Sequence, residues 1–293
     1  MKIIRSPEVL QREMRRQSRR GREIGFVPTM GALHDGHLAL VRRAHRENDL
    51  VVVSLFVNPT QFGPKEDFKR YPRPFREDCR KLRWAKVDYV FYPPVKAIYP
   101  EGDSAYVDFA PRENGVDLTH VLCGKFRPGH FRGVATVVAK LFCLVGPDRV
   151  YFGAKDYQQT VVVRRLIRDL HLGIKFCLCP TVREKDGLAM SSRNRYLDPA
   201  ERRQALEISK TLFWIRKEIL RGNRQIARLR RRAIQNLRKT VDRLQYLEIV
   251  DPESLSPLSR FQPSMVALVA CYVGKTRLID NVIIKTRPRR NPG

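Results

Sequence analysis

The stretch from Ile24 to Val57 constrains this chain more than any other. Ile24–Thr29 is an apolar run of strand character, Gly36–Asn48 repeats its apolar positions at helical spacing, and Leu50–Val57 is again almost continuously apolar. Strand, helix and buried strand make a βαβ unit, with parallel strands and a right-handed crossover. The junction between first strand and helix reads Met30-Gly31-Ala32-Leu33-His34-Asp35-Gly36-His37-Leu38. A helix start offers unpaired N–H groups and the positive end of a dipole. Gly36 removes a side chain where an anion must approach the backbone. His34 and His37, three residues apart, lie on one side of the opening turn. The junction is therefore an anion site with two proton-capable donors, suited to the phosphates of a nucleotide.

Further strand patterns at Val87–Tyr92, Arg149–Phe152 and Ile174–Cys179 alternate with helical ones. One helix carries Val134, Val137, Val138, Leu141 and Val145, and another runs over about Asp156–Leu170. This alternation predicts an α/β fold, a doubly wound parallel sheet of Rossmann-like, nucleotide-binding type, over residues 1–184. Ligands of such sheets bind beyond the carboxyl ends of the strands. Met30–His37, Asn58-Pro59-Thr60-Gln61 and Gly153-Ala154-Lys155-Asp156 each follow a strand there. From residue 185 the pattern changes. Asp198-Pro199-Ala200-Glu201 starts a helix that runs to Gly222, a second helix spans about Arg224–Asp242, and three strand patterns close the chain. Residues 185–293 are thus expected to form a smaller C-terminal α+β domain that packs against or lids the first.

The formal charge is +27, and +14 of it falls from Lys185 onward, densest in Arg221–Arg243 and in the tail Arg287–Arg290. Such a field attracts polyanions. Aromatic residues are not interleaved with the arginines, however, and no zinc-finger or RNA-recognition signature is present, so nucleic acid is not the expected partner. No apolar run reaches the length of a membrane span. The Arg-rich start suggests a transit peptide, but Glu8, Glu13 and Glu23 are out of place in one, and a cytoplasmic protein is expected. Six scattered cysteines without Cys-x-x-Cys or zinc spacing suit a reducing compartment.

Taken singly, the polar motifs are ambiguous. His-x-x-His is also a metal-pair spacing, without a third ligand nearby. Lys155 can reach a phosphate and Asp156 a ribose, or the two form a solvated ion pair. One of Gln158 and Gln159 faces the ligand end of the sheet. Met190-Ser191-Ser192-Arg193-Asn194 is either a polyphosphate clamp or a polar turn. Gly124–Gly133, with Lys125, Arg127 and His130, is a mobile gate or a helix lead-in.

Together these motifs resemble the pantothenate synthetase (pantoate–β-alanine ligase) family, within the His-x-Gly-His nucleotidyltransferases. The matching stretches are Val27–His37, Phe56–Pro64, Glu66–Phe68 with Tyr71–Arg73, Arg127–Gly133, Lys155–Gln159, Arg183–Asn194 and Gly274–Asn281. The resemblance implies a two-step reaction: the carboxylate of D-pantoate attacks the α-phosphate of ATP, and the amine of β-alanine then displaces AMP from pantoyl adenylate. It implies catalytic roles for His37, His34 and Lys155, with His37 as proton donor. ATP would meet Met30, Gly31, Ala32, Leu33, His34, Asp35, Gly36 and His37, then Gly153, Ala154, Lys155, Asp156 and Val182. Met190, Ser191, Ser192 and Arg193 would hold its pyrophosphate end. Gln61 and Gln159 match pantoate-binding glutamines. Mg²⁺ would travel with ATP, no tightly bound organic cofactor is implied, and no protein metal site is assigned. Asp78, with Glu77, is a metal-ligand candidate from the resemblance and a solvated helix face on sequence alone. The family is typically homodimeric.

Overall fold

The structure, a computed structural model, describes residues 1–64, 66–110 and 117–286; the basic tail Arg287–Arg290 lies outside the described residues. The chain divides into two compact units. The first holds Met1–Ala110, Arg127–Ala154 and Gln159–Val182. The second holds Lys155–Gln158, the chain from Arg183 and the described residues of Pro111–Phe126.

In the first unit the elements are β1 (Lys2–Ile4), α1 (Pro7–Ser18), β2 (Ile24–Thr29), α2 (Asp35–Glu47), β3 (Leu50–Leu55) and α3 (Phe75–Trp84). They continue with β4 (Tyr89–Phe91) and α4 (Val95–Ile98). The short α5 (Cys123–Phe126) belongs to the second unit, and α6 (His130–Val145), β5 (Arg149–Gly153) and β6 (Lys175–Cys179) complete the first. Between β5 and β6 runs α7 (Tyr157–Asp169). All six strands pair in parallel in the order β1-β4-β3-β2-β5-β6. The winding reverses between β2 and β5, the switch point at which open α/β sheets bind ligands.

Strand periodicity explains how both faces are covered. Phe26, Val52, Val150 and Phe152 face one way, against Leu10 and Met14 of α1, Val134 and Leu141 of α6 and Leu166 of α7. Their neighbours Val27, Val51, Val53, Val90 and Tyr151 face the other way, against Val41 and Ala44 of α2 and Leu82 of α3. The expected doubly wound sheet is present, and α2, β3 and β5 lie within two residues of their expected bounds.

The second unit contains α8 (Pro199–Leu220), α9 (Ile226–Leu237), β7 (Arg243–Val250), β8 (Ser264–Val273) and β9 (Thr276–Lys285). The strands form an antiparallel sheet in the order β7-β8-β9. Ile208, Leu212, Ile215 and Ile219 of α8 and Ile226, Leu229, Ala233 and Leu237 of α9 pack with Met265, Val269 and Ile284. Asp198 caps α8 by accepting from Ala200 N–H and Glu201 N–H, while Glu201 returns a bond to Asp198 N–H, a capping box.

One close approach fixes the position of α6. A Cβ on Gly133 would lie 2.4 Å from the Thr60 carbonyl oxygen, and backbone cannot yield as a side chain could. Gly133→Ala is expected to cost about 1–3 kcal/mol by overpacking, read as a lowered midpoint of thermal unfolding. An unchanged midpoint would contradict this contact.

Candidate active site

The junction between β2 and α2 is a strained turn held from below. Thr29 Oγ1 donates to the Ser54 carbonyl at 2.7 Å and accepts from Gly31 N–H at 3.1 Å. Gly31 and Ala32 follow with φ of +79° and +52°, so two successive residues are left-handed. For Ala32 that conformation costs energy, and the surroundings must enforce it. Helix α3 does so. Asp78 accepts from Ala32 N–H and Leu33 N–H, each at 2.8 Å, and Lys81 Nζ donates to the Leu33 carbonyl at 2.5 Å. Asp78 is 2% exposed. This corrects both sequence readings of Asp78: it is not on a solvated face, and each of its oxygens is engaged by a loop amide rather than presented to a metal. Burial pushes its carboxyl above the usual aspartate range, against the downward pull of the two amides. Glu77, on the wetter side of α3, pairs with Lys81 at 2.7 Å.

The two histidines form the cap of α2. His34 is the N-cap; its Nδ1 accepts from Gly36 N–H at 3.2 Å. His37, three positions on, returns the bond, its Nδ1 accepting from His34 N–H at 3.3 Å. This is a capping box built from imidazoles in place of Ser or Thr and Glu. The rings lie 4.1 Å apart between centroids, as their spacing required. A backbone N–H can only donate, so in each neutral ring the proton sits on Nε2. Asp35 and Gly36 occupy the first two helical positions between them.

Beyond β3, Asn58 organises the second polar turn. Its Oδ1 accepts from Tyr99 Oη at 2.8 Å and Thr60 Oγ1 at 3.0 Å, and its Nδ2 donates to the Gly133 carbonyl and to Gln61 Oε1. Gln61 Nε2 reaches Met30 Sδ at 3.1 Å, bringing the two strand-end motifs together. His130 Nδ1 lies 2.7 Å from the Gln61 carbonyl, while Arg127 reaches His130 Nε2 at 2.9 Å and pairs with Glu66 at 2.6 Å. Arginine always donates, so His130 is protonated on Nδ1 and donates to Gln61. Arg127 and His130 thus serve as an ordered lead-in to α6. Of the paired glutamines, Gln159 is half-buried, whereas Gln158 is buried, accepting from Cys123 N–H at 2.9 Å and donating to the Leu118 and Val121 carbonyls.

The remaining motif residues lie at strand ends and loops of each unit. Gly153 ends β5, the neighbour of β2, and Ala154 and Val182 follow β5 and β6. Lys155 and Asp156 belong to the second unit and face each other at 3.9 Å, too loosely for a committed ion pair. In the same unit Ser191 caps a short 3₁₀ turn by accepting from Arg193 N–H, following Met190 and carrying Ser192 and Arg193. Asn194 holds that turn, its Nδ2 donating to Glu184 Oε1 at 2.6 Å and the Ala189 carbonyl at 3.0 Å. A cavity of about 720 Å³ borders the junction on the Asp78 side, touching Met30, Gly31 and Phe56 but neither histidine nor Gln61.

A Rossmann-like sheet whose β2–α2 junction is capped by His-x-Gly-His defines the class of this protein. A model of the pantoate-beta-alanine ligase family matches residues 2–283. The chain is 49% identical to the pantothenate synthetase of a Sulfurihydrogenibium species over 96% of its length and 99% of the relative's, and 49% identical to that of Thermotoga petrophila over 97% and 100%. Among solved structures, the pantothenate synthetase of Thermus thermophilus superposes with a TM-score of 0.91 at 46% identity, covering 98% of this chain and 100% of that one. The pantoate-beta-alanine ligase of Francisella tularensis, solved with beta-gamma ATP and beta-alanine, superposes with a TM-score of 0.77 at 36% identity, with 97% coverage of both. The chain belongs to the pantoate–β-alanine ligase family.

Asp78 must be ionised to accept both loop amides, and its raised pKa brings protonation to a higher pH than for an exposed aspartate. In that window the folded chain binds the proton more readily than the unfolded one, so this group does not promote unfolding. Turnover is therefore expected to fall on acidification through the window without Asp78 adding to any loss of melting temperature. Asp78→Asn, with one acceptor oxygen for two amides, is expected to be slow and to lack this acid limb. A pH–rate profile that the substitution leaves unchanged would refute this role.

Proposed function

We propose that this protein condenses D-pantoate with β-alanine at the expense of ATP, releasing AMP and pyrophosphate. The observation that carries the reading is the imidazole capping box: with both Nδ1 atoms accepting backbone N–H groups, His34 and His37 each carry Nε2–H as donor beside a helix N-terminus. That arrangement meets negative charge growing on phosphorus. Family membership supplies the substrates.

In the first step the pantoate carboxylate attacks the α-phosphorus and the bond to pyrophosphate breaks. His37 and His34 donate to the phosphoryl oxygens, with His37 the proton donor. Lys155 supplies a mobile positive charge, and preorganised donors in this position matter most as charge develops. The backbone of Met30, Gly31, Ala32 and Leu33, with Asp35 and Gly36, lines the triphosphate. Ser191, Ser192 and Arg193 receive the departing pyrophosphate, with Met190 beside them. Asp156 accepts from the ribose hydroxyls, and Gly153, Ala154 and Val182 frame the adenosine. Gln61 and Gln159 orient pantoate through neutral amides, leaving its carboxylate nucleophilic. In the second step the β-alanine amine attacks the acyl carbon, the bond to AMP breaks and the amine loses a proton. The mixed anhydride is already activated, so this step depends mainly on excluding water.

ATP enters as its magnesium complex, the ion carried on the phosphates. We also propose a homodimer acting in the cytoplasm; among the described residues no helix is long and apolar enough to cross a membrane.

The test is AMP formation from ATP, Mg²⁺, D-pantoate and β-alanine. Turnover is expected to need both acids, to stop near one equivalent of enzyme-bound adenylate without β-alanine, and to fall roughly 10²–10³-fold in His37→Ala. AMP formation that ignores pantoate, or that another carboxylic acid supports better, would overturn the reading.

A further inference from the structure

Lys155 delivers its charge at the end of a flexible side chain, so its reach depends on what holds its backbone. Within the second unit, one strand reaches both segments that the reading places at the phosphates. Adjacent residues of β9, Asp280 and Asn281, are each only 4% exposed. Asp280 takes both arms of Arg183, NH1 to Oδ2 at 2.7 Å and NH2 to Oδ1 at 2.9 Å. Arg183 opens the loop that leads to Ser191–Arg193, and its NH1 also donates to the Gly187 carbonyl at 3.1 Å within that loop. Asn281 turns to the other segment: its Nδ2 donates to the Lys155 carbonyl at 2.8 Å.

The two ties differ in kind. A buried bidentate ion pair is geometrically rigid, so it fixes the start of the loop. An amide-to-carbonyl bond fixes a single peptide plane, and here that plane belongs to the residue carrying the mobile charge. The Lys155 ammonium makes only a loose approach to Asp156, 3.9 Å, among the described residues. Its reach is therefore governed by where its main chain is held.

We infer that Asn281 is a positioning residue for Lys155, holding its backbone so that the ammonium meets the α-phosphate in the adenylation step; this rests on the role of Lys155 proposed above. Asn281 touches no reacting atom. Its effect should therefore be confined to the half-reaction that Lys155 serves, whereas a merely structural residue would weaken both.

The experiment compares Asn281→Leu, which keeps the branching at Cγ and removes the donor, with Lys155→Ala and the double variant. Pantoate-dependent ATP–pyrophosphate exchange reads the first step, and reaction of supplied pantoyl adenylate with β-alanine reads the second. Asn281→Leu is expected to slow exchange roughly 10- to 100-fold, through kcat rather than the KM for pantoate, and to leave the second step within about twofold. Because Asn281 acts through Lys155, adding Asn281→Leu to Lys155→Ala should cost little more. Exchange at the wild-type rate in Asn281→Leu with Lys155→Ala inactive overturns the tie alone. Full exchange in Lys155→Ala overturns the assignment of Lys155. Equal losses in both half-reactions, or additive losses in the double variant, also overturn the tie. Should Asn281→Leu fail to fold, Asn281→Asp, which keeps the shape and loses the donor, decides by the same readings.

Discussion

Everything at the candidate site depends on one backbone problem. Between β2 and α2 the chain makes two successive left-handed residues, Gly31 and Ala32, inside a buried corner. Such a turn leaves amides and a carbonyl pointing away from any strand or helix, and buried backbone groups without partners are costly. Asp78 and Lys81 resolve this by taking two amides and one carbonyl from the same helix. The turn is then rigid where α2 begins. Only on a rigid helix start can His34 and His37 cap each other. Because the cap uses their Nδ1 atoms, a structural duty leaves Nε2 as the donor position for chemistry.

The unusual charge is partly internal. On and beside the Arg-rich α9, the guanidinium of Arg224 lies 3.6 Å from the centre of the Phe261 ring, and that of Arg232 lies 5.3 Å from Trp214. Arg230 pairs with Glu248 on β7. These contacts give packing roles to arginines that composition alone could assign only to a polyanion partner. The remaining positive field suits a protein whose proposed substrates are all anions or carry a carboxylate.

Much of the fold was legible because buried parallel strands leave continuous apolar runs, and α6 and α8 show clear helical spacing. The first two elements were not. β1 is three residues long and too short to carry a pattern, while α1 anchors itself with few apolar residues, Leu10 and Met14. Its buried face also uses polar groups: Glu13 accepts from Gln17 and Tyr89, and the Gln17 bond leads the effects that hold its carboxyl down at about 2. The Ser6-Pro7-Glu8 cap signal is present in the sequence, but Leu10 and Met14 are too sparse a stripe behind it to mark a helix. At the site, the histidine pair and Gln61 stand out by their place after strands and the Ser191–Arg193 turn by its hydroxyls and guanidinium, while the roles proposed for them come from the family resemblance. The bracing role of Asp78 could not be found from the sequence, because the left-handed residue it holds, Ala32, lies 46 residues earlier and leaves no periodic trace.

That the capping box fixes the tautomer of both histidines underlies the proposed mechanism. It is tested most directly by ¹⁵N chemical shifts of ring-labelled His34 and His37, assigned through His→Gln variants, at a pH where both rings are neutral. Each ring is expected to show a protonated Nε2 and an unprotonated, hydrogen-bonded Nδ1. Protonated Nδ1 in either ring would mean that the backbone amides are not its partners, and the donor geometry on which the mechanism rests would fall with them.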